Sequence, residues 1–193
     1  MVLGSIAEGK FPKRLVDEAK RLLLQSENEQ IKLQASSVFT DNNPEKNSYS
    51  IETIRGLKAS SIRGKQLFEK SCAVCHRVAT MGKDIGPELT RIGGKYDQER
   101  LVQAITEPSA GIVFGYESWT INTSDGLSYY GFMLGEGADA VVVKDLSGVK
   151  HTIPVKKIKT RMKSPKSIMP DAAAFGYNEQ DLADLSAYLL TLK

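Results

Sequence analysis

The feature that most constrains this chain is the placement of its cysteines. The 193 residues contain two cysteines, and both lie in one short segment. Cys72 and Cys75 are separated by two residues, and His76 follows the second cysteine directly. Two thiols and an imidazole this close in sequence act on the same small region of space. Any fold of this chain therefore places two thiols and one imidazole together at a single site.

The spacing Cys-x-x-Cys-His is that of covalent haem attachment. Thiols two residues apart can each add to one vinyl group on the same edge of a porphyrin, which forms two thioether bonds. The adjacent histidine then lies under the iron and supplies an imidazole as its proximal ligand. We therefore predict that Cys72 and Cys75 hold one haem c and that His76 binds its iron.

Three other uses of the cysteine pair remain open at this stage. A zinc site needs four ligands, and outside the motif His151 is the other strong nitrogen donor. A thioredoxin-like dithiol lies at a strand-to-helix turn, whereas residues 61–70, before the motif, have the pattern of a helix. A structural disulfide is also possible, although a two-residue spacer closes too small a loop to restrict the unfolded chain much.

Two segments predict helices that frame the motif. Residues 62–70 lead into the cysteines, with Gly64 and Phe68 on one face. A glycine inside a helix costs about 1 kcal/mol relative to alanine, which is tolerated where another helix crosses closely. Residues 178–192 begin with a good N-cap and carry an apolar stripe. The stripe comprises Leu182, Leu185, Tyr188, Leu189 and Leu192. We expect this terminal helix to cross the first one at Gly64.

Two further residues are candidates for the surroundings of the iron. Met169 lies just before the terminal helix, and a thioether is a soft donor that suits haem iron and raises its reduction potential. Its main competitor is Met162. The glycine-rich residues 82–94 allow the backbone to approach a flat group closely. Within them, the carbonyl of Pro87 is a candidate acceptor for the Nδ1 proton of His76.

Residues 115–160 interrupt the helical pattern. Four stretches rich in Val, Ile, Thr, Tyr and Phe, separated by glycine-containing turns, predict four short strands. These stretches are residues 116–122, 128–134, 140–144 and 150–154. We expect a small antiparallel sheet that serves as a spacer or covers the haem edge. Residues 150–166 hold seven basic residues and no acidic one, which indicates a solvated rim or a docking patch for an acidic partner.

The N-terminal residues predict a helical appendage. One apolar stripe follows residues 12–24, and a less regular one follows residues 31–39. Such a pair resembles the end unit of a HEAT-like array, which cannot bury its apolar face alone. The polar residues 41–48 indicate a linker. We therefore predict a division into residues 1–49, the appendage and linker, and residues 50–193, the main domain.

The composition narrows the class of protein. The hydrophobic fraction of 41% and charged fraction of 25% allow a packed core. The longest apolar runs fall far short of the ~20 residues that cross a bilayer, so we expect no transmembrane segment. The net charge of +3 comes with no recognised nucleic-acid motif, so we expect no such partner. The chain begins without a secretory signal. Because haem attachment normally takes place outside the cytoplasm, we expect a fragment of a longer, periplasmic or otherwise exported protein.

In their order along the chain, these residues resemble a class I cytochrome c. The pattern comprises Gly64, Phe68, Cys72-x-x-Cys75-His76, Gly86-Pro87-x-Leu89, Met169-Pro170 and Tyr188-Leu189. More narrowly, three stretches resemble the haem-binding domain at the C-terminal end of large planctomycete- and verrucomicrobia-type proteins. They are Glu107-Pro-Ser109, Gly115-Tyr116 and Ser167-Ile-Met-Pro170. In such proteins the domain often follows a dehydrogenase-like β-propeller and helical repeats. The resemblance covers about residues 56–193.

The resemblance implies a mainly α protein, a cytochrome c helical fold split by a small antiparallel β insertion and preceded by a helical appendage. It implies one covalent haem c with His76 as proximal and Met169 as distal ligand. The implied function is transfer of single electrons, rather than catalysis, from a fused or partner dehydrogenase to a downstream acceptor. The alternative is a haem-based ligand sensor or a peroxidase-like domain, each with an open distal site.

Overall fold

Two segments that are far apart in sequence build the unit that contains the cysteine motif. The computed structural model describes residues 6, 11–27, 31, 32, 35, 39 and 49–193. It divides into one unit of Thr40–Gly111 with Met169–Lys193, and another of Met1–Phe39 with Ile112–Ile168. Residues 41–48, the predicted linker, and most of the second N-terminal stripe lie outside the described residues. The HEAT-like character of residues 1–49 stays a prediction.

Helices dominate the unit that contains the motif. Helix α1, Lys13–Leu24, precedes it in the chain, at the first predicted stripe, and has no buried residue. The helices of the motif unit are α2 (Ile51–Gly56), α3 (Ser61–Leu67), α4 (Gln98–Thr106) and α5 (Glu179–Leu190). A π-helical turn, Phe68–Cys72, continues α3, and a 3₁₀ turn covers Ile92–Gly94. A short hairpin pairs β1 (Arg77–Val78) with β2 (Met81–Gly82). None of the helices in the described part of the chain is long and apolar enough to span a membrane.

Helices α3 and α5 cross at Gly64, which confirms the predicted contact. A Cβ at position 64 would lie 1.9 Å from the carbonyl oxygen of Asp184 and 2.9 Å from the Cβ of Tyr188. Hydrogen is therefore the side chain that fits between the two backbones. Phe68 is fully buried, and its ring centroid lies 5.5 Å from that of Tyr188. The crossing thus forms the centre of the apolar core of this unit.

The carboxylate of Asp184 fastens α5 to the beginning of α3. Its side chain is 3% exposed. It accepts hydrogen bonds from the Ser60 N–H at 2.7 Å, from Arg63 Nε at 2.6 Å and from Gln180 Nε2 at 2.9 Å. Burial raises the pKa of Asp184, but the hydrogen bonds from Arg63, Ser60 and Gln180 outweigh burial and hold it below its ordinary value. The buried charge is therefore well compensated.

The other unit is built on a five-stranded antiparallel sheet with the order β6-β5-β4-β3-β7. The strands are β3 (Ser118–Thr123), β4 (Ser128–Glu136), β5 (Ala140–Asp145), β6 (Lys150–Pro154) and β7 (Ile158–Lys163). The first four form a meander, and β7 returns to pair with β3 after a 3₁₀ turn, Val155–Lys157. The sheet has its own small core of Ile121, Val141, Val143 and Ile153.

The expectation of a mainly α protein is wrong. The five-stranded sheet forms a compact unit with its own core. It is therefore more than a small insertion in a helical domain. The four predicted strands are present, but β7 was not expected. Ile158, Thr160 and Met162 alternate with Lys159, Arg161 and Lys163. The basic run hides this period of two. Lysines on an edge strand oppose pairing with other chains, which accounts for their density there.

The basic run is partly neutralised within the sheet unit. Lys157 lies 3.1 Å from Asp125. Lys163 lies 3.0 Å from Glu117, and Arg161 pairs with Glu136. Three of the seven cations therefore have acidic partners nearby, which fits a solvated rim.

Replacing Gly64 by alanine should weaken the crossing of α3 and α5, because the added Cβ would overlap the Asp184 carbonyl. We expect Gly64→Ala to lower the free energy of unfolding by about 1–3 kcal/mol, although alanine favours a helix. Gly56→Ala is the matched control, since a Cβ there has nothing within 4 Å. Denaturant titration measures both. A Gly64→Ala protein as stable as wild type would contradict the close crossing.

Replacing Asp184 by asparagine should remove charged hydrogen bonds that hold α5 to α3. We expect Asp184→Asn to lower the free energy of unfolding at pH 7 by about 2–3 kcal/mol. Because the folded pKa lies below the unfolded value, this stabilisation is present at neutral pH and fades as the pH falls below about 4. The two proteins should therefore converge in acid.

The control for that variant is Glu99→Gln, which removes an ion pair to Arg55 between half-exposed side chains. Surface pairs contribute at most about 1 kcal/mol. A stability difference between wild type and Asp184→Asn that persists unchanged at low pH would contradict the role of the carboxylate charge.

Candidate haem site

The cysteine motif lies where α3 ends in a π-helical turn. The N–H of Ala73 donates to the carbonyl of Phe68, five residues earlier, at 2.8 Å. The N–H groups of Cys75 and His76 both donate to the carbonyl of Cys72, at 3.0 and 2.9 Å. Single π-turns are frequent at functional sites. Here the turn places both thiols and the imidazole on one tight, hydrogen-bonded loop.

The chain after the motif folds back and clamps this loop. The N–H groups of Ile85 and Gly86 donate to the carbonyl of Cys75, at 3.0 and 2.8 Å. Gly82 adopts a φ of +89°, and a Cβ there would lie 2.1 Å from the carbonyl oxygen of His76. Position 82 therefore requires glycine for both its backbone angle and its close approach.

His76 is buried and held in one tautomer. Its side chain is 9% exposed, and its Nδ1 lies 2.7 Å from the carbonyl oxygen of Pro87. A carbonyl can only accept, so Nδ1 carries the proton and Nε2 carries the free lone pair of a neutral ring. Burial lowers the pKa of His76, and the bond to Pro87 offsets part of that effect. The contact expected between His76 and Pro87 is present, and it presents Nε2 as a metal ligand requires.

The two cysteines are partly buried, and their thiols are shifted away from reactivity. Both are free in the structure. Burial raises the pKa of Cys72 to about 12, and the neighbouring Cys75 adds to the rise. Burial also raises the pKa of Cys75, against the opposing effect of Lys83. A redox-active dithiol needs a lowered pKa, and this motif follows a helix rather than a strand. Both observations count against a thioredoxin-like site.

A zinc site lacks the necessary ligands. No group of three or more histidine, cysteine, aspartate or glutamate side chains that could hold a metal occurs within the described ranges. His151 lies in β6, where its Nε2 is 2.7 Å from Oδ2 of Asp145. His76 is thus the histidine that lies next to the cysteines, whereas His151 is bonded to Asp145 in the sheet.

Met169 belongs to the same unit as the motif. Its partly buried side chain packs against the core that contains Phe68, and Cys72 packs against that core too. Met162, the competing methionine, lies in β7 of the sheet unit and is 42% exposed. The structure thus brings Met169 and the motif to one core, while its role as a ligand stays a prediction.

One residue of this core was missed in the sequence. Tyr177 is 9% exposed, and its buried hydroxyl lies within the influence of the Ser71 hydroxyl. The sequence signal was the position of Tyr177, directly before the helix N-cap Asn178. An apolar residue usually packs against the helix at that position. A buried histidine with a free Nε2, directly after the second cysteine, fits a site that a bound group completes.

Comparison with known proteins agrees with this site. Residues 61–125 match the cytochrome c family. Cytochrome c-551 of Bacillus subtilis (strain 168) is 36% identical over 52 residues, which cover 25% of this chain and 42% of that protein. The chain therefore spans less than half the length of this curated relative. Residues 61–125 are thus similar to cytochrome c, and they include α3, the cysteine motif and α4 but neither Met169 nor α5.

Replacing Gly86 by alanine should displace the ring of His76. A Cβ at position 86 would lie 2.9 Å from Cε1 and 3.1 Å from Nδ1 of that ring. We expect Gly86→Ala to lower the free energy of unfolding by about 1–3 kcal/mol and to weaken the hydrogen bond to Pro87. Gly94→Ala is the control, because its Cβ would meet nothing within 4 Å. Equal stability of the two variants by denaturant titration would argue against a tightly packed imidazole.

Proposed function

We propose that the protein transfers single electrons through one haem c that is bonded to Cys72 and Cys75. The observation that carries this proposal is the state of His76, which is buried, has a lowered pKa and bonds Pro87 through Nδ1, so that Nε2 keeps its lone pair. Such an imidazole, directly after two cysteines at haem-attachment spacing, suits iron better than it suits acid–base catalysis. The cytochrome c match over residues 61–125 supports the same conclusion.

Each residue of the site would have a specific role in holding the haem. The thiols of Cys72 and Cys75 would each add across a vinyl group, so that a C–S bond forms and the thiol hydrogen passes to the other vinyl carbon. His76 would bind the iron through Nε2, and the Pro87 carbonyl would make that imidazole a stronger donor. Haem supplies the one-electron change of its iron.

Met169 would supply a second ligand to the iron. A thioether ligand raises the reduction potential of haem iron and completes its coordination. With His76 and Met169 both holding the iron, no position would remain for a substrate or gas. We therefore propose an electron carrier rather than an enzyme, a ligand sensor or a peroxidase.

The proposal also includes a donor and an acceptor of the electrons. The domain would receive electrons from a dehydrogenase, fused or separate, and pass them to a downstream acceptor. The resemblance to haem-binding domains that follow dehydrogenase-like modules supports this direction. We also propose an exported, periplasmic location, because covalent haem attachment normally takes place outside the cytoplasm.

Optical spectroscopy of protein matured in the periplasm tests the proposed function. A low-spin, six-coordinate spectrum in both oxidation states, unchanged when carbon monoxide is added to the reduced protein, is the expected result. A high-spin spectrum, or ready binding of carbon monoxide at neutral pH, would contradict electron transfer through a filled site and favour a sensor or peroxidase.

Replacing Met169 by alanine should remove the distal ligand. We expect Met169→Ala to lower the reduction potential by on the order of 0.1 V, within the ~0.8 V that axial ligands span, and to admit carbon monoxide. Met162→Ala is the matched control, because Met162 lies on the exposed edge strand β7. Redox titration of both variants measures the effect. A wild-type potential in Met169→Ala would exclude this methionine as the ligand.

A further inference from the structure

The two faces of the five-stranded sheet differ in charge. Residues directly opposite one another in an antiparallel pair lie on the same face, and the face alternates along each strand. By this register, one face of β4, β5 and β6 carries Val141, Val143 and the rest of the small core. The opposite face of these three strands carries Tyr130, Phe132, Val142, Lys144, Lys150 and Thr152.

The acidic residues of the strands are absent from that second face. Within β3 to β7 they are Glu136 and Asp145. Glu136 lies opposite the core residue Val141, and Asp145 is two residues along β5 from the core residue Val143. Both therefore belong to the core face. We call the other side of the sheet, which carries Lys144 and Lys150, the acid-free face.

The cations of β7 that have acidic partners also lie away from the acid-free face. Arg161 and Lys163 are in the register of the core face. Arg161 pairs with Glu136, and Lys163 pairs with Glu117. The carboxylates of the strands thus serve the core side of the sheet, and the acid-free face has a positive potential that attracts anionic groups.

Lys144 and Lys150 occupy directly opposed positions on β5 and β6. Like charges at opposed positions of a sheet disfavour strand pairing. Lys150 is exposed, and Lys144 is half-buried. A carboxylate placed against both ammonium groups would remove the mutual repulsion, so this pair of lysines favours an acidic group bound at the surface.

Tyr130 adds an aromatic surface beside the two lysines. Its side chain is 37% exposed. It lies two residues along β4 from Phe132, which is opposite Lys144. Diagonal neighbours on a sheet are within reach of aromatic and long side chains. Tyrosine is also enriched where proteins meet, because it combines an apolar ring with a polar tip. The face therefore offers both an ionic and an apolar contact.

We propose that the acid-free face docks an acidic segment of another protein, with carboxylates against Lys144 and Lys150 and apolar side chains against Tyr130. Charge complementarity defines the class of partner. The aromatic contact distinguishes a polypeptide from a small anion, which has no apolar side chain to bury. The inference concerns the sheet unit and does not depend on the proposed function.

Fluorescence anisotropy with the full-length protein tests the proposal. The probe is a labelled peptide of alternating glutamate and serine with a central leucine, and its control carries glutamine in place of glutamate. We expect the glutamate peptide to bind roughly tenfold or more tightly than the glutamine peptide. Its affinity should fall as added salt screens the charges. Failure of the glutamate peptide to bind, or equal affinity for the two peptides, would overturn the proposal.

Lys150→Glu separates docking from stability. This variant should bind the glutamate peptide roughly tenfold more weakly. Its thermal midpoint should nevertheless rise, because an acidic residue would then lie opposite Lys144. Lys156→Glu is the matched control. It makes the same change of charge at an exposed lysine in the 3₁₀ turn, outside the strands, and it should keep most of the affinity. Equal losses in the two variants would show attraction by net charge alone and would overturn the proposal.

Competition experiments distinguish an acidic protein segment from other anions. At matched ionic strength, inorganic phosphate should leave the glutamate peptide bound, and an oligothymidylate of the same charge should bind more weakly than the peptide. Displacement of the peptide by phosphate would indicate a small-anion site. Tighter binding of the oligothymidylate would indicate a nucleic-acid surface. Either result would overturn the assignment of a protein partner.

Discussion

The close crossing of α3 and α5 at Gly64 is the contact on which the helical unit depends. The two helices come from segments on either side of the sheet in the sequence, and the crossing joins those segments in one core. Helix α3 continues from this contact into the π-helical turn that carries Cys72. It also places the C-terminal segment, with Met169 and Tyr177, on that core. A glycine at one position thus connects the fold to the site.

The site itself is organised by backbone groups more than by side chains. Carbonyls of Cys72 and Cys75 each accept two N–H groups, and the carbonyl of Pro87 orients the imidazole of His76. These hydrogen bonds hold the backbone of the motif and the imidazole of His76 in fixed relative positions. They involve backbone groups, which do not titrate near neutral pH.

The features of the fold and site that could be predicted from the sequence depend on a few residues whose chemistry or size is decisive locally. The motif, the role of Gly64 and the bond between Pro87 and His76 are of this kind. Strand β7 was missed because its lysines obscure the alternation, and the separate core of the sheet depends on pairing between distant strands. The burial of Tyr177 depends on tertiary packing that no local pattern encodes. The role of Met169 as a ligand stays a prediction.

The intact mass of the wild-type protein, purified after periplasmic maturation and then denatured, tests the central claim most directly. The account predicts the mass of the chain plus one haem, retained through denaturation because two thioethers hold it. The bare mass of the chain, obtained from cells in which a known c-type cytochrome is matured normally, would show that Cys72 and Cys75 serve another purpose and would contradict the account.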